Sequence, residues 1–240
     1  MGRGAGQGAV QQPAAASGDR RHEGPGCFHR GAAQAPAVVN IVFDFGGVLF
    51  HWHPASFLAR MWPGRDGDAM ALAFFENYQG AWGEFDQGLI SQDEVIARIA
   101  ARNAWSEEQV RVVVEAVPAE LALKPDTVAL IEDLTAAGHR LFFLSNMPAP
   151  LAEHLERSHP LSRWFASGVF SSRVKHCKPA RAIFDIAAER FGVAPDKLLL
   201  LDDHPANVQA ARSLGWHAHL FTTAALARRE LVQRGLLVGV

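Results

Sequence analysis

Five short apolar runs, at 38–43, 139–144, 168–170, 198–201 and 217–221, alternate along this chain with segments of helical period at about 126–137, 148–158, 180–191 and 205–213. A strand that is apolar on both faces must be covered on both faces, and helices between successive strands supply that cover. The pattern predicts an α/β fold, a Rossmann-like parallel sheet with helices on either side. The first run, Val38-Val39-Asn40-Ile41-Val42-Phe43, is rich in β-branched residues and is followed by Gly46-Gly47. It reads as a buried strand that ends in a tight loop.

One stretch breaks the alternation. Between the first two runs lie roughly 90 residues with helical period and no convincing strand. Ser91 three residues before Glu94 makes a capping box for a helix over 92–102, and Ser106 caps a second through Val117. Pro118 and Pro125 punctuate the exit. A loop of this length inside a compact core is improbable, so the stretch is expected to be an inserted helical cap. The expected organisation is a core of 38–50 and 124–240, a cap of 51–123, and a preceding segment of 1–37. In that segment 17 of the 37 residues are Gly or Ala. It cannot bury enough apolar surface to offset its ordering entropy and is expected to be disordered, or to stem from a start codon assigned too far upstream. It has neither the apolar core of a secretory signal nor the Ser-rich amphipathic period of a transit peptide. The chain has no internal repeats.

Composition narrows the function by exclusion. A net charge of −2 with no concentrated basic patch argues against nucleic acid or an anionic membrane surface as partner. No apolar stretch approaches the ~20 residues that span a bilayer. Two distant cysteines, Cys27 and Cys177, are no disulfide framework and fit a reducing compartment. A cytoplasmic enzyme, monomer or homodimer, is the expectation.

In a parallel sheet, ligands bind beyond the carboxyl ends of the strands. The residues found there form a phosphoryl-transfer set: Asp44 after the first run, Ser145-Asn146 after the second, Lys178-Pro179 beyond the third and Asp202-Asp203 after the fourth. A carboxylate can attack phosphorus to give an acyl-phosphate, which divides one difficult displacement into two easier ones. Asp44 and Asp203 can share a hard Mg²⁺ ion, which prefers oxygen ligands and offsets charge on the transferring group. Lys178 adds a fixed positive charge, while Ser145, Asn146 and the backbone N–H groups of Gly46-Gly47 supply phosphate hydrogen bonds. Asp202 suits the orientation of a metal-bound water. Each residue also has a plain reading: Asp44 as a turn residue, Asp202 as a helix cap, Lys178 as a surface lysine. Against the last, Pro179 fits the first position of a helix.

Taken together, Phe43-Asp44-Phe45-Gly46-Gly47-Val48-Leu49, Leu144-Ser145-Asn146, Lys178-Pro179 and Leu201-Asp202-Asp203 resemble motifs one to four of the haloacid dehalogenase superfamily, in order and at suitable spacing. Pro205-Ala206-Asn207-Val208-Gln209-Ala210-Ala211 is similar to the helix that follows motif four there. The resemblance covers about residues 40–222 and implies a Rossmann-like core with a helical cap after the first strand. Within the superfamily, Gly46-Gly47 and the segment from Trp82 to Ser91 look like small phosphatases acting on glucose-1-phosphate. They also look like the phosphatase domain of some epoxide hydrolases and domains fused to acyl-CoA dehydrogenases. The implied substrate is a small phosphate ester, with a sugar phosphate as one option, and the implied cofactor is Mg²⁺.

One departure matters. Most phosphatases of the superfamily carry an Asp two residues after the nucleophile as general acid and base, and here that position is Gly46. Its carbonyl can still ligate Mg²⁺, but general acid–base help worth about 10²–10⁴-fold has lost its side chain. His51 and His53, at positions where relatives prefer Asp, are candidate replacements because an imidazole titrates near ~6.5; packing or solvation at the hinge is the alternative. Two other functions follow from the same residues. One is metal-independent 2-haloacid dehalogenation by Asp44, which has no use for the Asp202-Asp203 pair. The other is a catalytically weak binding module. Cys177 reads as a structural thiol, and His217-x-His219 as alternation along a strand. Trp52, Trp62, Trp82 and Phe74-Phe75 read as buried between cap and core, with a pocket lining as the alternative.

Overall fold

Period-two alternation divides the first strand, β1 (Asn40–Phe43), between two layers. Ile41 and Phe43 enter one apolar cluster and Val42 enters the other. The structure, a computed structural model, describes residues 40–238. The expectations for 1–37, Cys27 and Val38-Val39 lie outside the described residues.

The remaining strands are β2 (Arg140–Ser145), β3 (Ser167–Phe170), β4 (Leu198–Asp202) and β5 (His217–Leu220). All pair in parallel, in the order β3-β2-β1-β4-β5. The chain builds outward from β1 through β2 to β3, then crosses back to β4 and β5. The direction of winding thus reverses beside β1, and ligand crevices open at such reversals. The fold is the expected α/β Rossmann-like sheet.

Six helices precede or adjoin β2: α1 (Pro54–Met61), α2 (Gly67–Phe75), α3 (Ala81–Asp86), α4 (Gln92–Asn103), α5 (Glu107–Glu120) and α6 (Pro125–Ala136). After β2 come α7 (Ala149–Ser158), α8 (Leu161–Trp164), α9 (Ser171–Val174), α10 (Arg181–Phe191), α11 (Pro205–Ser213) and α12 (Ala224–Gln233). Both anticipated capping boxes form, Ser91 with Glu94 and Ser106 with Gln109. Two proline expectations fail. Pro118 does not punctuate the exit from its helix; α5 runs through it to Glu120, giving up one i→i−4 donor. Pro179 is not the first residue of α10, because the Ala180 N–H closes onto the Cys177 carbonyl and makes Lys178-Pro179 the middle of a turn. The sequence patterns did not reveal α12, whose buried positions are Ala224, Ala227 and Leu231.

The chain between β1 and α6 leaves and returns through one narrow neck. Phe50 and Leu123 form an antiparallel bridge. The His51 N–H donates to Ala122 at 2.8 Å and the Lys124 N–H to Leu49 at 2.9 Å. Thr127 Oγ1 adds a bond to the Val48 carbonyl at 2.8 Å. The regular elements between are all helices, and their apolar side chains merge with one layer of the core. Beneath the neck, fully buried Phe45 contacts four rings, those of Phe50, Phe143, Phe165 and Phe170. Its backbone carbonyl accepts from the N–H groups of Val48, Leu49 and Phe50, which curls the loop after β1. Truncation there removes ring packing and leaves a cavity. Phe45→Ala is expected to lower unfolding free energy by about 3–5 kcal/mol, read as a drop in the urea midpoint.

Candidate active site

The reversal beside β1 gathers the carboxyl ends of three strands around a single ammonium. Lys178 Nζ lies 2.9 Å from Asp44 Oδ1 and 2.6 Å from Asp202 Oδ2, with almost none of its side chain exposed. Its position is set by backbone, not by the chance of a long side chain. Asn146, just past β2, accepts from the Lys178 N–H at 2.8 Å and donates to the Lys178 carbonyl at 2.9 Å. This reciprocal pair fixes the turn that carries Lys178 to the end of β2.

Asp202 is fully buried, and its oxygens are already engaged. Besides Lys178 they accept from the His204 N–H at 2.9 Å and from Asn207 Nδ2 at 3.0 and 3.2 Å. Asn207 was not among the expected site residues. Its place in the first turn of α11, three residues beyond His204, sends its amide back to the strand end, and that register was the available clue. Asp203 points the other way, exposed at the mouth, and both Asp44 and Asp203 line a cavity of about 210 Å³.

The three carboxylates offer oxygens within 4.8 Å of one another. Burial chiefly, and then Asp202 and Asp203, push the Asp44 carboxyl up to about 8 in spite of Lys178. Asp203 is raised by desolvation and by Asp202. Burial works against the Lys178 ammonium, but Asp202 and Asp44 outweigh it and hold its pKa above the ordinary value. Three ionised carboxylates would exceed the one cation, and this crowding adds to burial in keeping the Asp44 and Asp203 carboxyls raised. Hard oxygen donors with uncompensated charge fit a divalent cation such as Mg²⁺.

The glycines after β1 differ in role. Gly46 lines the cavity, and a Cβ there would meet Trp52 at an ordinary 3.5 Å. Gly47 has φ +72°, and a Cβ on it would fall 2.0 Å from Asp203 Oδ2. Its absent side chain is the space that Asp203 occupies. Its carbonyl accepts from Lys124 Nζ at 2.8 Å, a contact the sequence did not suggest. Ser145 is buried next to Asn146, and its Oγ makes only a long 3.5 Å approach to the Asn146 carbonyl. His51 and His53 are exposed and are not among the cavity-lining residues. Trp52 and Trp82 line the cavity, whereas Trp62 packs against Phe74 and Trp105. Cys177 also lines it, with burial pushing its thiol up to about 12, so it is an unreactive wall.

Residues 39–215 match the family model for haloacid dehalogenase-like hydrolases. The chain belongs to that family. The hydrolase is 23% identical over 178 residues to a sesquiterpene phosphatase of Aspergillus oryzae, covering 72% of this chain and 85% of the relative. It is 26% identical to the fructose-1-phosphate phosphatase of Escherichia coli, over 64% and 92% of the two chains. Among solved structures, a Bacteroides thetaiotaomicron enzyme of the family, in complex with magnesium and inorganic phosphate, superposes with TM-score 0.59 at 19% identity, covering 76% and 93%. An L-2-haloacid dehalogenase from Xanthobacter autotrophicus with covalently bound chloropropionic acid also gives 0.59, at 21% identity over 82% and 83%. The shared fold therefore hosts both chemistries, and the choice between them rests on this hydrolase's own residues. Gly47→Ala is expected to displace Asp203 and cut hydrolase activity by on the order of 10²-fold, the size of effect that roughly a 1 Å misplacement can have, with the melting curve unchanged in shape. Steady-state kinetics beside a thermal melt would check it.

Proposed function

We propose that this hydrolase cleaves phosphate from a small organic phosphomonoester, with Mg²⁺ bound and Asp44 as nucleophile. The observation that carries the reading is the set of three carboxylates within 4.8 Å offset by one buried ammonium. A metal-independent dehalogenase needs one carboxylate nucleophile and gains nothing from Asp203 beside it. The phosphatase relatives point the same way.

Asp44, Asp203 and the Gly46 carbonyl would hold the ion, with Asp202 behind them. When bound, Mg²⁺ supplies positive charge to the phosphoryl oxygens and to the Asp44 carboxylate. The chain's own groups do the rest. The Phe45 N–H, at 2.7 Å, and Lys178 both approach Oδ1 of Asp44, which leaves Oδ2 to attack phosphorus. Lys178 stabilises the equatorial charge of the transferring group, and Asp202 keeps its ammonium in place. The product of the first step is an aspartyl-phosphate on Asp44, which water then hydrolyses.

The organic part of the ester lies against Trp52, Tyr78, Trp82, Val117 and Leu121, a wall supplied by the helical stretch between β1 and β2, which serves as the cap. That wall favours a leaving group with apolar surface. Among the described residues no helix is long and apolar enough to cross a membrane. With p-nitrophenyl phosphate, turnover is expected with Mg²⁺, and it should vanish in EDTA and in Asp44→Asn. Chloride release from a 2-chloroacid in EDTA would favour the dehalogenase instead.

A further inference from the structure

A phosphatase with glycine two residues after its nucleophile has no obvious donor for the departing alcohol. The cavity that Asp44 lines holds a candidate. Asp86, the last residue of α3, is the carboxyl that the helical insertion contributes to the lining, and it is only 4% exposed. The indole of Trp82, one turn back on α3, is the neighbour that favours its charged form, and among the described residues no cation pairs with it. Burial holds its pKa well above the ordinary carboxylate value, with Trp82 the only opposing influence. The carboxyl end of a helix likewise disfavours an anion.

Its position is anchored to the phosphate end of the site. Ser171 Oγ accepts from the Met147 N–H at 2.8 Å and donates to the Asp86 carbonyl at 2.5 Å. One hydroxyl therefore ties the end of α3 to the loop that follows Ser145-Asn146. The titratable groups that face Asp86 are Tyr78 and Cys177, each under its electrostatic influence and each kept neutral by burial. Asp203 and Asp44 also help to raise the Tyr78 phenol, after burial. Its oxygen accepts from Trp52 Nε1 at 2.9 Å, and the same indole packs at Gly46. Trp52 and Tyr78 thus wall the cavity beside Gly46, and Asp86 lines the same cavity.

We propose that Asp86 gives its proton to the leaving oxygen as the phosphorus–oxygen bond breaks, a role resting on the phosphatase reading above. Asp44 forms a bond to phosphorus while the ester bond breaks, and the Asp86 proton goes to the ester oxygen. The alcohol leaves neutral and Asp86 becomes a carboxylate. Water then attacks the phosphorus of the Asp44 acyl-phosphate and gives its proton to Asp86, which releases inorganic phosphate and restores both residues. A carboxyl held neutral by its apolar surroundings suits this role.

The test compares kcat/KM, which reports the first step, for a simple alkyl phosphate and for p-nitrophenyl phosphate, whose leaving group needs no proton. Asp86→Asn is expected to lose about 10²–10⁴-fold on the alkyl ester and to stay close to wild type on the aryl ester. Asp86→Leu, which suits the apolar wall, should show the same split if Asp86→Asn folds poorly. Asp86→Glu should keep the wild-type ratio of the two esters. Equal losses on both esters, or no loss on either, in a folded variant would overturn the role of Asp86 alone. A wild-type protein that cleaves neither ester with Mg²⁺ would overturn the phosphatase reading, and this proposal with it.

Discussion

The ammonium of Lys178 between Asp44 and Asp202 is the contact on which the rest of the site depends. It links the ends of β1 and β4 through one buried charge. Removing one partner of such a buried cluster typically costs about 3–5 kcal/mol, yet replacing a whole cluster with apolar side chains is often neutral. Stability alone therefore does not account for three carboxylates here. The proposed chemistry would, because a divalent cation and the phosphoryl group it accompanies would offset three ionised carboxylates.

The supports of this contact form a connected set. Asn146 fixes the turn bearing Lys178, and Asn207 and the His204 N–H hold Asp202. Gly47 makes room for Asp203, and the Phe45 carbonyl curls the loop that places both. With Asp202 turned inward onto Lys178 and Asp203 turned outward to the cavity, two adjacent acids in sequence take different tasks. The helical insertion is attached at the neck by Phe50 and Leu123, and again through Ser171 beside the phosphate end. This second attachment brings Asp86 to the site without any strand carrying it there.

Much of this was legible in the sequence because the three central strands are largely apolar and the polar residues at their ends stand out. The five strands, their parallel pairing and the Asp44 and Asp202-Asp203 positions follow from that contrast, whereas Lys178 lies past α9 and was marked by the motif resemblance. The remainder was hidden for physical reasons. Asn207 and Asn146 act through backbone and carboxylate partners distant in sequence, with no local pattern to mark them. The expectation for His51 and His53 followed chain proximity to Asp44, but the neck carries both to the surface. Asp86 lies in a six-residue helix whose role depends on how the insertion packs, which no periodicity encodes. Pro179 looked like the start of a helix because proline favours that position, yet the same residue also favours turns.

The central claim is that Asp44 is the atom-bearing nucleophile, and the most direct measurement is capture of its intermediate. A rapid acid quench of the protein turning over a ³²P-labelled phosphomonoester with Mg²⁺, followed by peptide mapping, should find label on the peptide containing Asp44. That label should be absent in EDTA and in Asp44→Asn. Turnover with unlabelled protein, or label on a different peptide, would contradict the account.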